Sequence, residues 1–211
     1  MISAHTCALI SQIAYHDDPA RRLAAIGFRL VATYDVGGTQ ALIAADDDNL
    51  VLAFRGTVEA ADRRTDVRFV KTDFPGGGRV HLGFFEAFER VRPAIAFDLA
   101  RLSSRRRVFT GHSLGAALAV MATVEWRPDV AYVFGCPRVG NAAFVKRVLS
   151  RLFRHENWLD GVTYLPLWAS PFQAWYAWNE GRRPTFYRHA GFRVRTHGFG
   201  HPIGRYVKAT L

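Results

Sequence analysis

The pentapeptide Gly111-His112-Ser113-Leu114-Gly115 constrains this chain more than any other stretch, because of what flanks it. Arg107 to Thr110 reads as a short strand ending at Gly111, and Leu114 to Trp126 is Ala-rich and reads as a helix. A strand that turns directly into a helix puts strain on the residue at the apex. Its neighbours must also be small, because backbone and helix crowd together there. Gly111 and Gly115, followed by Ala116 and Ala117, leave that space. Ser113 is thereby expected to project its hydroxyl above a sheet, at a helix N-terminus whose N–H groups face a developing negative charge. The pattern G-x-S-x-G is weak by itself, and the flanking strand and helix give it its meaning.

The remaining periodicities are consistent with such a sheet. Residues 3 to 15 carry apolar side chains at helical spacing until Asp17, Asp18 and Pro19 stop them. Arg29 to Tyr34, Thr39 to Ala45 and Asn49 to Phe54 are short apolar runs separated by Gly37-Gly38 and by Asp46 to Asn49, and read as hairpin-linked antiparallel strands. From Gly83 to Leu102, Phe84, Phe85, Phe88, Val91, Ile95, Leu99 and Leu102 follow a period of about 3.6 residues, which predicts a long amphipathic helix. After the Ser113 turn and its helix, Val130 to Phe134 reads as a strand and Ala142 to Phe153 as a helix. This alternation implies an α/β fold: a central, mostly parallel sheet with flanking crossover helices and antiparallel N-terminal strands. With 211 residues, 49% of them hydrophobic, and no repeat or linker, one domain spanning residues 1–211 is expected.

Several function classes lose support. Val91 to Leu102 is broken by Arg92, Pro93 and Asp98, and no apolar run approaches the roughly 20 residues of a membrane span. Met1 to Ile13 lacks the basic flank and cleavage site of an export signal, so a cytoplasmic setting is the default, although a mature secreted form would look the same. Cys7 and Cys136 are too few for a disulfide framework and read as buried thiols. His189, His197 and His201 lack metal-ligand spacing, so neither a metal nor another cofactor is implied. The net charge of +10 admits an anionic lipid surface as a partner. It is spread over Arg21-Arg22, Arg63-Arg64, Arg105 to Arg107, Arg151 to Arg154 and Arg182-Arg183 without a nucleic-acid-binding motif, so nucleic acid is not expected.

Five blocks, in order, resemble the fungal-type (class 3) lipase family of the α/β-hydrolase superfamily. They are Phe54-Arg55-Gly56-Thr57, Val80 to Phe84, Thr110 to Ala119, Phe134 to Asn141 and Tyr187 to Gly191. The resemblance runs along nearly the whole chain. It implies the α/β-hydrolase fold, a Ser-Asp-His triad and hydrolysis of acyl esters, with an ester or lipid as substrate.

A serine needs a base, and the base needs an acceptor to fix its tautomer. Of eight histidines, His81, His112 and His155 violate the chain order Ser, acid, His, and His112 inside the turn is expected to point elsewhere. His189, His197 and His201 remain. His201, in Gly200 to Tyr206, resembles the family's catalytic histidine block, whereas His189 resembles a structural position. Among the acids, Asp129 precedes its strand and falls at the wrong end of the sheet. Asp160, in Asp160 to Pro166, resembles the family's D-x-V-x-x-L-P block, with Gly161 where the family often has Pro; Glu156 and Glu180 are fallbacks. One oxyanion donor is the N–H of Leu114, the residue after the nucleophile. In the family, the residue matching Thr57 supplies the second.

The resemblance also places a mobile amphipathic lid after the oxyanion loop. Here that stretch, Val58 to Asp66, is short and mostly polar, which favours short-chain or soluble esters. Asp66 resembles a structural aspartate of the family. The segment Trp158 to Trp178 holds four of the five tryptophans and reads either as packing or as an acyl-binding or lipid-facing wall. The expected function is a serine carboxylic ester hydrolase using Ser113, Asp160 and His201 with Thr57 and Leu114. The alternative is a lipase-like protein that binds lipid surfaces with little catalysis.

Overall fold

A computed structural model of the chain describes residues 2–57, 70–102, 105–166, 178–179 and 186–211. Its centre is a seven-stranded sheet in the order β1-β2-β3-β6-β7-β8-β9. The strands are β1 (Arg29–Val36), β2 (Thr39–Ala45), β3 (Asn49–Phe54), β6 (Arg106–His112), β7 (Val130–Phe134), β8 (Arg151–Trp158) and β9 (Phe192–Phe199). β1 to β3 pair antiparallel and every pairing from β3 to β9 is parallel. A separate antiparallel pair, β4 (Lys71–Asp73) and β5 (Arg79–His81), leads into the long helix α3 (Leu82–Arg101).

Helices cover both faces, which is why the central strands read as continuous apolar runs rather than alternating ones. Every residue of β3 is buried. On one face, α3 packs Ala87, Phe88, Val91, Ile95 and Leu99 inward, beside α4 (Leu114–Trp126). α4 is apolar all round because nearly all of it is enclosed: Gly115 to Val124 are buried without interruption. On the other face lie α1 (Ala4–Ile13), α2 (Pro19–Ala24) and α6 (Ile203–Ala209), whose Cys7, Ile10, Leu23 and Tyr206 pack with Val51, Val108 and Phe134 of the sheet. Both thiols are buried and free. Among the described residues, no helix is long and apolar enough to cross a membrane.

The expected helix over Ala142 to Phe153 is corrected. α5 is only Ala142–Val145, and the chain enters β8 at Arg151. Val145, Val148, Leu149, Leu152 and Phe153 imitate a helical stripe in sequence. Pairing with β7 decides otherwise: Phe134 stands opposite His155, Leu152 is fully buried, and Phe153 stacks on Tyr132 at 5.5 Å.

Four histidines lie inside this fold in neutral form. Burial lowers His81 and His155 to about 4 and His112 and His189 to about 3, with neighbouring cations adding to the effect at His81 (Lys71) and His189 (Arg154). The unfolded chain binds a proton at each site below about pH 6.5, while the folded chain resists until far lower pH. Their contribution is thus complete above pH 6.5 and is lost as pH falls toward 4. Urea unfolding is expected to show a stability loss between pH 7 and pH 5, at most about 2 kcal/mol per histidine; a flat profile would refute the buried neutral assignment.

Candidate active site

The candidate residues all follow the C-terminal ends of strands. Ser113 sits between β6 and α4 with φ 59° and ψ −123°, a backbone conformation that a non-glycine residue occupies only under constraint. Its N–H donates to the Phe134 carbonyl at 3.0 Å, and its own carbonyl accepts from Ala116 and Ala117. The glycines of the pentapeptide have identifiable neighbours. A Cβ on Gly115 would collide with the Phe54 carbonyl, and one on Gly111 with the Gly115 carbonyl. α4 therefore approaches the end of β3 more closely than any side chain permits.

Thr57 and Leu114 come together. Both line a cavity of about 230 Å³ that Gly38, Gln40, Arg55 and Gly56 also border. Leu114 opens α4, where N–H groups have no intrahelical acceptor. The loop carrying Thr57 is tied to the start of β2: the Arg55 N–H donates to the Gln40 carbonyl at 3.0 Å, and its guanidinium donates to the Gln40 side chain.

Asp160 and His201 also meet. Asp160 follows β8, is fully buried, and accepts from His201 Nδ1 at 2.9 Å. The Tyr206 hydroxyl donates to the same carboxylate at 2.6 Å and the Val162 N–H at 3.0 Å. Burial alone would raise this carboxyl, but His201, Tyr206 and the Val162 amide outweigh it and hold it below the usual carboxylate range. A carboxylate that only accepts forces the proton onto His201 Nδ1, so Nε2 is left as the basic nitrogen of the neutral ring. That Nε2 is buried and has no hydrogen-bond partner among the described residues. The ring rests over Gly135, whose missing Cβ would lie 3.0 Å from Nδ1.

The other candidates lie elsewhere. His189 faces Glu156 across 4.0 Å, and Glu156 is paired with Arg154 and Arg193. Asp129 accepts from the Arg107 N–H at the opposite end of the sheet. His155 is stacked on Phe134, His81 occupies the N-cap position of α3 without a side-chain capping bond, and His197 is exposed on β9. Glu180, Trp168, Trp175 and the stretch Val58 to Asp66 lie outside the described residues. The sequence patterns did not single out Tyr15, Gln40 or Tyr206. Tyr206 was visible only as an aromatic five residues after His201.

The family model for class 3 lipases matches residues 51–169, which include Ser113, Thr57 and Asp160. The chain belongs to the class 3 lipase family. It is 37% identical over 147 residues to a secreted mono- and diacylglycerol lipase A of Penicillium cyclopium, covering 61% of this chain and 47% of that protein. It is 34% identical over 144 residues to a secreted mono- and diacylglycerol lipase 1 of Fusarium solani, covering 61% and 43%. The chain thus spans about half the length of these curated relatives. The fold matches that of a lipase from Rhizopus microsporus var. chinensis, with TM-score 0.74 and 24% identity over 91% of this chain and 72% of that one. A Rhizomucor miehei triacylglyceride lipase gives 0.73 and 22% over 91% and 78%. These likenesses establish the α/β-hydrolase fold expected from the sequence.

For this member of the class 3 lipase family, Gly115→Ala is expected to destabilise the fold by about 1 to 3 kcal/mol, the usual cost of overpacking. The added methyl meets backbone, which cannot rotate away. Denaturant unfolding measures the change, and a wild-type midpoint would show that α4 and β3 have room to separate.

Proposed function

We propose that this chain is a serine carboxylic ester hydrolase acting on acyl esters through Ser113, His201 and Asp160. His201 Nε2 takes the proton from Ser113 Oγ as that oxygen attacks the ester carbonyl. The tetrahedral oxyanion is held by Thr57 and the Leu114 N–H, worth about 10² to 10³ in rate per donor. His201 then returns the proton to the leaving alkoxide, which departs as the alcohol and leaves Ser113 acylated. Water repeats the sequence with His201 again as base and releases the acid. Asp160 orients the imidazole and stabilises its charged form. No cofactor takes part in these steps.

The observations that support this reading are the Asp160–His201 pair, with a buried Nε2 that has no partner among the described residues, and a serine held at positive φ at the same edge of the sheet. The relatives' names agree with an acylglycerol substrate. Those relatives are named as secreted, which lends no support to a cytoplasmic default and favours export for the whole protein. The net charge of +10 suits an anionic lipid surface.

Ser113→Ala is expected to abolish hydrolysis of p-nitrophenyl esters and labelling by a fluorophosphonate, with an unchanged circular dichroism spectrum. His201→Ala should be comparably damaging, since triad losses are not additive. His189→Ala should keep substantially more activity. Wild-type turnover in Ser113→Ala would end the assignment, and the reverse ranking of the histidines would move the base to His189. A wild-type protein that binds anionic vesicles but neither hydrolyses nor labels would establish the lipid-binding alternative instead.

We also propose a preference for short-chain or soluble esters without strong interfacial activation. In Val58 to Asp66 only Val58 and two alanines are apolar. At about 25 cal/mol per Å², such side chains bury too little to hold a lid closed. The rate on tributyrin should cross the solubility limit without a jump. A sharp rise there, lost when Trp175 and Trp178 become alanine, would place a gate in the aromatic segment.

A further inference from the structure

His112, inside the pentapeptide, has a partner on each ring nitrogen. Its Nε2 lies 2.7 Å from the His201 backbone carbonyl, and its Nδ1 lies 2.8 Å from the Tyr15 hydroxyl. The carbonyl can only accept, so Nε2 must carry hydrogen. In the neutral ring Nδ1 is then an acceptor, and the Tyr15 hydroxyl must donate to it. That leaves the Tyr15 oxygen as an acceptor, and the Gly56 N–H faces it. Every direction in the chain Gly56, Tyr15, His112, His201 is therefore fixed by donor and acceptor chemistry alone.

We infer that Tyr15 and His112 form a positioning relay that sets the oxyanion loop at Gly56-Thr57 against the loop carrying His201. Neither residue touches the reacting atoms. The two loops are far apart in sequence, and no backbone pairing joins β3, which ends before Gly56, to β9, which ends before His201. Three strands separate β3 from β9 in the sheet. Tyr15, in the turn after α1, spans the gap with one rigid ring. Gly56 has no room to move closer, because a Cβ there would collide with the Tyr15 hydroxyl and the His112 carbonyl.

The relay must also stay uncharged. The His112 and His201 rings are 4.5 Å apart, and His201 becomes an imidazolium during the proposed reaction. The groups facing His112 are Tyr15 from the turn after α1, His201 and Tyr206 from the C-terminal segment, and Asp160 from the end of β8. Burial, and then the nearby His201, lower His112 to about 3, and Asp160 only partly opposes this. A neutral His112 thus adds no second positive charge beside His201.

The inference rests on the proposed ester hydrolysis, and its test has an arm that does not. Tyr15→Phe keeps the ring and removes only the hydroxyl. On a soluble p-nitrophenyl ester its kcat should fall about 10-fold to 100-fold, as for a misplaced catalytic group, with KM within about twofold. His112→Phe should do the same, and His112→Gln, which can accept from Tyr15 and donate to the His201 carbonyl without ever being charged, should recover most of that loss. The double variant Tyr15→Phe/His112→Phe should be no worse than either single one. The acid limb of kcat/KM should coincide in wild type and His112→Gln. Unchanged kcat in Tyr15→Phe, a rise in KM alone, multiplicative losses, failure of His112→Gln to rescue, or a shifted acid limb would each overturn the relay. Nitrogen-15 NMR of labelled histidine supplies the independent arm: His112 should be neutral with Nε2 protonated from pH 5 to 8, and its Nδ1 resonance should move in Tyr15→Phe. A charged ring or the other tautomer would overturn the relay. An inactive wild type with the expected tautomer would overturn the hydrolase reading alone.

Discussion

The contact between α4 and the end of β3 is the constraint on which the site depends. At Gly115 a helix backbone meets the Phe54 carbonyl with no side chain between them, and at Gly111 the strand meets the same helix. This closeness leaves the chain one residue in which to turn from β6 into α4, and Ser113 takes the positive φ that the turn demands. Such strain costs of order 1 to 3 kcal/mol and persists only where surroundings over-determine it. Here the Phe134 carbonyl holds the Ser113 amide from β7, and the α4 amides hold its carbonyl. The close approach also brings the first turn of α4 beside the loop after β3, so Leu114 and Thr57 share a cavity.

Parallel pairing then gathers the rest. In sheet order, β3, β6, β7, β8 and β9 are neighbours whose C-terminal ends lie on one edge. Thr57 follows the first, Ser113 the second, Gly135 the third, Asp160 the fourth and His201 the fifth. Residues spread over more than 140 positions of sequence thus converge without a long loop having to search for its place. The electrostatics follow from depth along this edge. Asp160 is fully buried, and it is kept ionised by three donors that offset its desolvation. His189, partly enclosed among Arg154, Arg138 and Arg193, is held neutral by burial and by those cations, and Glu156, 4.0 Å away, is itself paired with Arg154 and Arg193.

Much of this was legible in sequence because it is local. β2, β3, α4 and β7 begin and end where apolar runs and Gly, Asp and Asn clusters put them, and the Ser113 turn is announced by its two glycines. β8 was misread because its apolar residues satisfy a helical spacing equally well, and only the pairing partner β7 decides between them. β9 carries Arg193, Arg195 and His197 and has no clean alternation, as suits an edge strand with one open side. Tyr15 and Tyr206 were invisible for another reason. Their importance is a single hydroxyl reaching a partner 97 residues away, His112, or 46 residues away, Asp160, and no spacing rule encodes such a distance. The candidate site residues were read from residue types and chain order, with a family resemblance choosing among the remaining histidines and acids, whereas the groups that hold them in place are defined only in three dimensions.

Gly135 illustrates how far that dependence runs. It lies outside the G-x-S-x-G pentapeptide, directly after β7, at φ 57°. A Cβ there would stand 2.8 Å from Asp160 Oδ2 and 3.0 Å from His201 Nδ1, inside the very hydrogen bond that fixes the histidine. Its N–H donates to the His155 carbonyl of β8, and the residue before it supplies the carbonyl that holds the Ser113 amide. One end of one strand therefore sets the Ser113 turn on one side and the Asp160–His201 distance on the other. The conformational freedom of glycine matters less at this position than its lack of volume. A residue such as Asn could tolerate the positive φ, but any side chain would have to displace either Asp160 or His201.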